Sequence, residues 1–305
     1  MGFLFGGSQN IHTSDQQLGG LRVQTSTKGL PVTLAYGQCR ITPNLGWYGD
    51  FTAIPHTSTQ SSGGKGGGGS VSNTTYTYTA GVALMVCEGP ISGYGQVWKD
   101  KDITTTAALG LTEFTGSYSQ SPWSFLTTNH PSEALSYRGQ AYLANGALDL
   151  GGSDALPNIT VEVNGLLYGN AVVPDANPAD VLNDLLTASK YGALFPSAQM
   201  GDLREFWAYC RAANLLISPS YSTQRSASDV ITELAQLGNS AIVWSEGVLK
   251  MIPYVDEPIV SPFYLNGSVP SVAVSVNQGR ISITPATPPT ITLDSAVPSV
   301  SVAAT

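Results

Sequence analysis

From Ser61 to Ser70 the chain reads Ser-Ser-Gly-Gly-Lys-Gly-Gly-Gly-Gly-Ser, and no packed element can be built from it. Glycine loses the most backbone freedom on ordering and offers no side chain to pack in return. The run is therefore a loop tip, and it divides two blocks of strand-like sequence. Before it, Leu21–Thr25, Leu30–Tyr36, Cys39–Thr42 and Leu45–Phe51 are short apolar–polar runs broken by Gly29, Gly37 and Pro43. After it, Asn73–Thr79 alternates hydroxyl and aromatic residues, and the apolar run Gly81–Cys87 follows. A glycine segment between two such blocks reads as a projecting hairpin, or as an insertion that orders only against a partner. A phosphate-binding loop would need Gly-Lys-Ser/Thr opening a helix, whereas Lys65 leads into more glycine and then a strand.

The rest of the chain divides in the same way. Residues 1–20, rich in Gly, Ser, Gln and Asn, read as an N-terminal arm. Residues 21–106 read as a β domain that continues past a Glu88-Gly89-Pro90 turn through Ile91–Trp98, a charged tip at Lys99–Asp102, and Ile103–Thr106. Residues 107–157 read as an insertion with a possible strand at Tyr137–Leu143. Residues 158–257 read as a second β domain, opened by the alternating strand Ile159–Val163 and carrying three helices. The first helix, near 178–189, has Asn177 as N-cap and Pro178 at the first helical position. The second, near 202–213, starts at Asp202 with Glu205 as capping-box partner. The third, near 227–237, is capped by Ser226 or Ser228, with an apolar stripe of Val230, Ile231, Leu234 and Leu237 and a terminating Gly238. A hairpin of Ala241–Trp244 and Val248–Ile252 turns at Ser245-Glu246-Gly247. Residues 258–305 read as an extended segment with little core of its own.

Charge narrows the function. Only 11% of residues are charged, less than half the ~25% of ordinary globular proteins, and the net charge is −8. Thirteen basic residues without a basic run do not make a nucleic-acid surface, which works by clustered Lys and Arg. Cys39, Cys87 and Cys210 are too scattered for a disulfide framework or a CxxC metal motif, and read as buried reduced thiols. His12, His56 and His130 stand in separate loop-like contexts, none with a second ligand at metal spacing. No Gly-x-Ser-x-Gly elbow occurs. Hence no catalytic, cofactor or metal residue is assigned, and no enzyme is expected. The longest apolar stretch, Val82–Cys87, is far short of a membrane span. The opening Met1–Gly7 lacks the basic and apolar regions of a secretory signal, so a cytoplasmic site of synthesis and assembly is expected. A chain poor in Lys, Glu and Asp suits surfaces buried in a permanent assembly.

Two stretches carry a resemblance. One is Cys87-Glu88-Gly89-Pro90-Ile91-Ser92-Gly93 through Val97-Trp98-Lys99-Asp100. The other runs from Asp180 to Glu257, through Tyr191-Gly192, the Trp-bearing Phe206–Cys210, Gln224-Arg225-Ser226 and the hairpin Ala241–Pro253. In order and spacing they resemble the tail-tip, or baseplate-hub, proteins of long-tailed phages, the family of the phage lambda host-specificity protein. The resemblance implies an α+β, mostly β fold, with tail-tube-like β domains, insertions and the three short helices. It implies a structural virion protein at the tail tip that caps the tube, adapts sixfold to threefold symmetry and carries fibres or a spike. The implied partners are two further copies in a homotrimer, the distal tail protein ring, the tape-measure C-terminus and other tail-tip or fibre proteins. DNA would pass through the lumen without specific binding, and contact with the host envelope would be indirect. Intersubunit contact is expected at Tyr76, Tyr78, Trp98, Trp123 and the 1–20 arm. The alternatives are a carbohydrate- or receptor-binding tail adhesin, suggested by the Trp and Tyr content, and a tail-associated cell-wall hydrolase.

Overall fold

The computed structural model describes residues 10–22, 31–61 and 70–255, and the backbone of 272–277 and 280–285. The glycine run, the segment 23–30, the first nine residues and most of the C-terminal segment lie outside the described residues, and with them most of the strand expected at Leu21–Thr25 and the first residue of that at Leu30–Tyr36, of which Leu34–Ala35 forms a short strand.

Two very long strands dominate. β1 is Ile11–Ser14, β2 Leu34–Ala35, β3 Gln38–Ile41, β4 Asn44–Ser61 and β5 Ser70–Glu88. β6 is Gly93–Lys99, β7 Asp102–Thr104 and β8 Thr112–Phe114. The short helix α1, Ser124–Asn129, precedes β9, Gln140–Gly151, and β10, Ile159–Asn164. Then follow α2 (Pro178–Thr187), α3 (Arg204–Ala212), β11 (Ser220–Tyr221), α4 (Ala227–Leu237), β12 (Ser240–Ser245) and β13 (Val248–Pro253). β14, Val272–Asn277, and β15, Arg280–Pro285, are the last of the described elements. The fold is α+β and mostly β.

β4 and β5 form one antiparallel hairpin from Asn44↔Met85 to Ser61↔Ser70. On its other flank β5 pairs antiparallel with β9 near its C-terminal end and parallel with β1 near its N-terminal end. A second sheet has the order β3-β10-β6-β7. The two sheets face each other across one core: Ala80, Val82, Leu84 and Leu143 from the first meet Ile41, Val97, Val161 and Val163 from the second. The opposite face of the first sheet, at Ala83, Met85, Tyr142 and Ala144, is covered by Trp123 and Leu126 around α1. Residues on both faces of β5 are thus buried, and that is why Gly81–Cys87 reads as an unbroken apolar run.

This pairing corrects the expected organisation. Residues 107–157 are no insertion: β9 is a central strand of the first sheet, hydrogen-bonded between β5 and β8. Likewise Ile159–Val163 belongs to the sandwich of the first half, beside β3 and β6, so the second unit starts after Asn164. Nothing local to 140–151 reveals this, because strand pairing over sixty residues leaves no mark at either partner. α1 was not legible either; six residues without a side-chain cap or a charge at either end carry no periodicity.

The second unit packs α2, α3, α4 and β13 around Leu182, Phe206, Cys210, Leu234 and Met251. Its capping is partly as read. The Asn177 side chain accepts from the N–H of Ala179 at 2.9 Å, with Pro178 behind it, and Ser226 caps α4 through the N–H of Asp229 at 3.1 Å. The capping box at α3 is not there. Asp202 accepts from the N–H of Arg204 and ion-pairs with its guanidinium, and Leu203 is the N-cap. Gly238 does not adopt the left-handed conformation either (φ −83°); Asn239, at φ 42°, does. The glycine is needed for space, since a Cβ there would overlap the Phe206 ring. Leu237, placed in the apolar stripe, is exposed. Tyr36, fully buried, ties the two units together by donating its hydroxyl to Asp184 Oδ2 at 2.7 Å.

Candidate functional site

The feature that stands outside both cores is the distal half of the β4–β5 hairpin. From Pro55 to Ser61 every residue of β4 is exposed, and Ser70–Thr75 of β5 only alternates between exposed and half-buried. Seven strand residues reach roughly 23 Å, so this half can project away from the sandwich. It is held by its own ladder and by side-chain pairs across it: His56 Nε2 with Thr77 Oγ1 at 2.7 Å, Thr57 with Thr74 at 2.9 Å, Thr59 with Ser72 at 2.7 Å. β1 adds a third strand, Ile11↔Val71 to Ser14↔Thr74, so part of the expected N-terminal arm is fixed to this ribbon. His12 and His56 accordingly lie in strands, not loops.

The ribbon carries no Asp, Glu, Lys or Arg from Thr52 to Ser61, from Ser70 to Thr79, or from Asn10 to Ser14. Natural proteins usually protect an open strand edge with charge, proline or a bulge. Here Pro55 is the single such device on the outer flank of β4 within Thr52–Ser61.

The four residues expected at subunit contacts part company. Tyr78 is buried (2% exposed), stacked on Phe51 with ring centroids 5.3 Å apart, and its hydroxyl accepts from the N–H of Leu18. Trp123 is buried (5%) beneath Trp47 and Phe125. Both side chains are occupied by the chain's own core, which corrects their assignment to an interface. Tyr76 and Trp98 are half-buried. Trp98 lies on the outer face of the second sheet under the Arg40 guanidinium, 3.9 Å from the ring centroid, and pairs in register with the exposed Ile103. Trp and Arg together are the residue types that most often anchor interfaces.

A second aromatic group was missed from the sequence. Trp47 meets Phe125 and His130, donates its indole N–H to Glu133, and lies on Gly49 and Gly81, where a Cβ would come within 2.8 to 3.0 Å of its ring. His130 pairs with Asp50 at 2.9 Å. The signal available was Gly-x-x-Gly spacing around a strand tryptophan, which does not reveal its partners 80 residues away.

Chemically reactive groups are suppressed. Burial pushes the thiols up, Cys39 to about 11 and Cys87 and Cys210 to about 12, so all three stay protonated near neutrality and are poor nucleophiles. Desolvation likewise raises the Tyr36 and Tyr94 hydroxyls far above the usual phenol range. Among the described residues no three His, Cys, Asp or Glu side chains stand close enough to share a metal ion. No helix of the described residues is long and apolar enough to cross a membrane. A cavity of about 580 Å³ lies between Leu182, Leu186, Val230 and Ile231, with the buried Glu88 ion-paired to Lys190 at its wall.

What the geometry defines is an α+β protein of two packed sheets and a helical unit, with an uncharged strand ribbon extended from the first sheet. No family model matches the chain, and no curated protein does. Among solved structures it is similar to a chain of the virion of a native gene transfer agent particle, with 16% identity and a TM-score of 0.47 over 97% of this chain and 72% of that one.

Proposed function

We infer that the chain is a structural protein of a phage-like virion, acting as a tail-tip or baseplate-hub subunit. One observation carries this reading: a long three-stranded ribbon exposed on both faces and devoid of formal charge. Such a surface is costly to leave open as an aggregation template, and it becomes useful when neighbouring subunits cover it. The motif resemblance supplies the type of assembly. Its first segment falls on the β5–β6 turn, and its second on the helical unit and the β12–β13 hairpin. On this reading three copies close the tail tube, meet the distal tail ring above and the tape-measure end within, and carry fibre or spike proteins below. Trp98 with Arg40, and Tyr76 at the base of the ribbon, are the contacts proposed between subunits. The net charge of −8 favours a lumen along which DNA slides without sticking. The role is mechanical, without catalysis.

Cryo-EM of intact particles tests it. Three copies at the tip are expected; six in a ring would make the chain a distal ring protein. A stable monomer absent from particles would overturn the reading. A charge placed on the ribbon, Thr57→Glu, should lower incorporation into particles at least tenfold while the free chain stays folded.

The Trp47 group favours a second reading, a carbohydrate-binding tail protein. A tryptophan flanked by Glu133, His130 and Asp50 offers a sugar both a stacking surface and hydrogen-bond partners. Binding on a glycan array that is lost in Trp47→Ala would favour it over the hub.

A further inference from the structure

The β12–β13 hairpin has one guarded flank and one open one. On the β13 side, Met200 bridges Leu249, and the Gly201 N–H donates to the Leu249 carbonyl at 2.7 Å. Among the described residues nothing pairs with the other side of β12. That edge reads Ser-Ala-Ile-Val-Trp-Ser, with no charge, proline or bulge to protect it. Ile242 (39% exposed) and Trp244 (56%) sit along it, although their register partners Met251 and Leu249 are buried in the helical core. The two-residue turn, Glu246 at φ 56° and Gly247 at φ 79°, makes Ser245–Val248 a hydrogen-bonded pair. Alternation then bonds Val243 to Lys250 and Ala241 to Ile252, and turns the N–H and C=O of Ile242 and Trp244 toward the open side. The N–H of Tyr254 donating to Asn239 at 2.9 Å continues the same alternation.

Further along the chain is a second two-stranded ribbon. β14 and β15 pair only with each other among the described residues. Their register sets Val272 against Pro285, Val274 against Ile283 and Val276 against Ile281. Those residues share one face, and Ala273, Ser275, Asn277, Arg280, Ser282 and Thr284 share the other. A two-stranded hairpin is at best marginal alone in water, and one with a wholly apolar face needs something to cover it.

We propose that the β14–β15 hairpin adds edge-on to β12 of its own chain, making one four-stranded sheet over the helical core. The carbonyls and amides of Ile242 and Trp244 gain strand partners, and the apolar face of β14–β15 continues the face that holds Leu249 and Met251. The connecting residues 256–271 can span up to ~55 Å, so they reach the edge easily. A tether of this length also gives an effective concentration in the millimolar range, on the order of a thousand times that of a second copy at micromolar protein.

Amide hydrogen exchange on the full chain tests this. Ile242 and Trp244 are expected to exchange slowly, and Val274→Asp with Ile283→Asp should speed both at least tenfold while α2 and α4 stay protected. The reciprocal variant is Ile242→Pro, whose lost N–H faces the open side and takes no bond from β13. It should speed exchange across 272–277 by a similar factor. Fast exchange at Ile242 and Trp244 in the unaltered chain, or protection unchanged in the double variant, would overturn the proposal. So would protection that rises with protein concentration, which would assign the edge to a strand from another copy.

Discussion

β5 is two different strands joined end to end. From Ala80 to Glu88 every residue is buried, with one face against the second sheet and the other beneath α1. From Ser70 to Thr75 the same strand, in the same hairpin with β4, has neither layer on it. The backbone ladder is continuous through both halves, so hydrogen bonding alone does not separate them. Side chains do: Val82, Leu84 and Val86 in one half, Thr, Ser and Asn in the other. The buried half stabilises this chain. The exposed half adds little to it, and on the proposed reading its uncharged surface is kept for neighbouring subunits.

The sharpest way to break this contrast is a charge in the buried half. Val82 is 0% exposed between the two sheets, in a cluster of buried apolar side chains. Val82→Asp is expected to cost about 4 kcal/mol or more, and to leave a chain that no longer unfolds cooperatively by circular dichroism. Retention of the native melting profile would show that the two sheets do not pack as described.

Alkali should strike the same half. The Cys87 thiol ends that strand's core and is held protonated to about 12, Cys39 to about 11, and Cys210 in the helical unit to about 12, against 9.0 for a free thiol. The native state therefore binds these protons more tightly than the unfolded state. Stability from these groups is complete below pH 9 and is lost as pH rises through 11 to 12. Tyr36 and Tyr94, also raised by burial, push the same way above pH 10. Urea midpoints should be flat from pH 7 to 8.5 and fall steadily from pH 9.5. Cys87→Ala should make that fall shallower. A midpoint that rises with alkali would contradict the burial of these groups.

The division between the halves was half legible in the sequence. The glycine run announced a hairpin tip, and the change from Tyr-Thr alternation to an apolar run marked where the core begins. Helices α2 and α4 and the β12–β13 turn were readable because capping and turn chemistry is local: Asn177-Pro178, Ser226, Glu246-Gly247. The place of β9 was not, since its pairing with β5 is decided by a partner sixty residues away. Tyr78 and Trp123 were misjudged for a related reason. An aromatic in an alternating or hydroxyl-rich stretch looks half-exposed until the layer that covers it is known, here Phe51 with Leu18 and the residues around α1.

Tyr76 and Tyr78 locate the boundary. They stand two residues apart, on one face of one strand. Tyr78→Ala removes a buried ring and the acceptor of the Leu18 N–H, and should cost about 3 kcal/mol. Tyr76→Ala, at a half-buried ring, should cost about 1 kcal/mol. Equal costs in a denaturant titration would move the boundary and extend the core into the ribbon.

The smallest effect is the most informative. Thr59 is exposed, and among the described residues its hydroxyl meets Ser72 across the hairpin, at 2.7 Å. An exposed hydrogen bond of this kind exchanges readily with water, so Thr59→Ala should change the free chain's unfolding free energy by less than about 0.5 kcal/mol. Thr59→Glu should be as mild, since the position has solvent on its side and no like charge within the ribbon. If either variant lowers stability as much as Tyr78→Ala, the distal half belongs to the chain's own core, and the argument that its surface is kept for neighbours fails. If both are silent in the free chain while Thr59→Glu is excluded from particles, stability and assembly have been separated on a single strand.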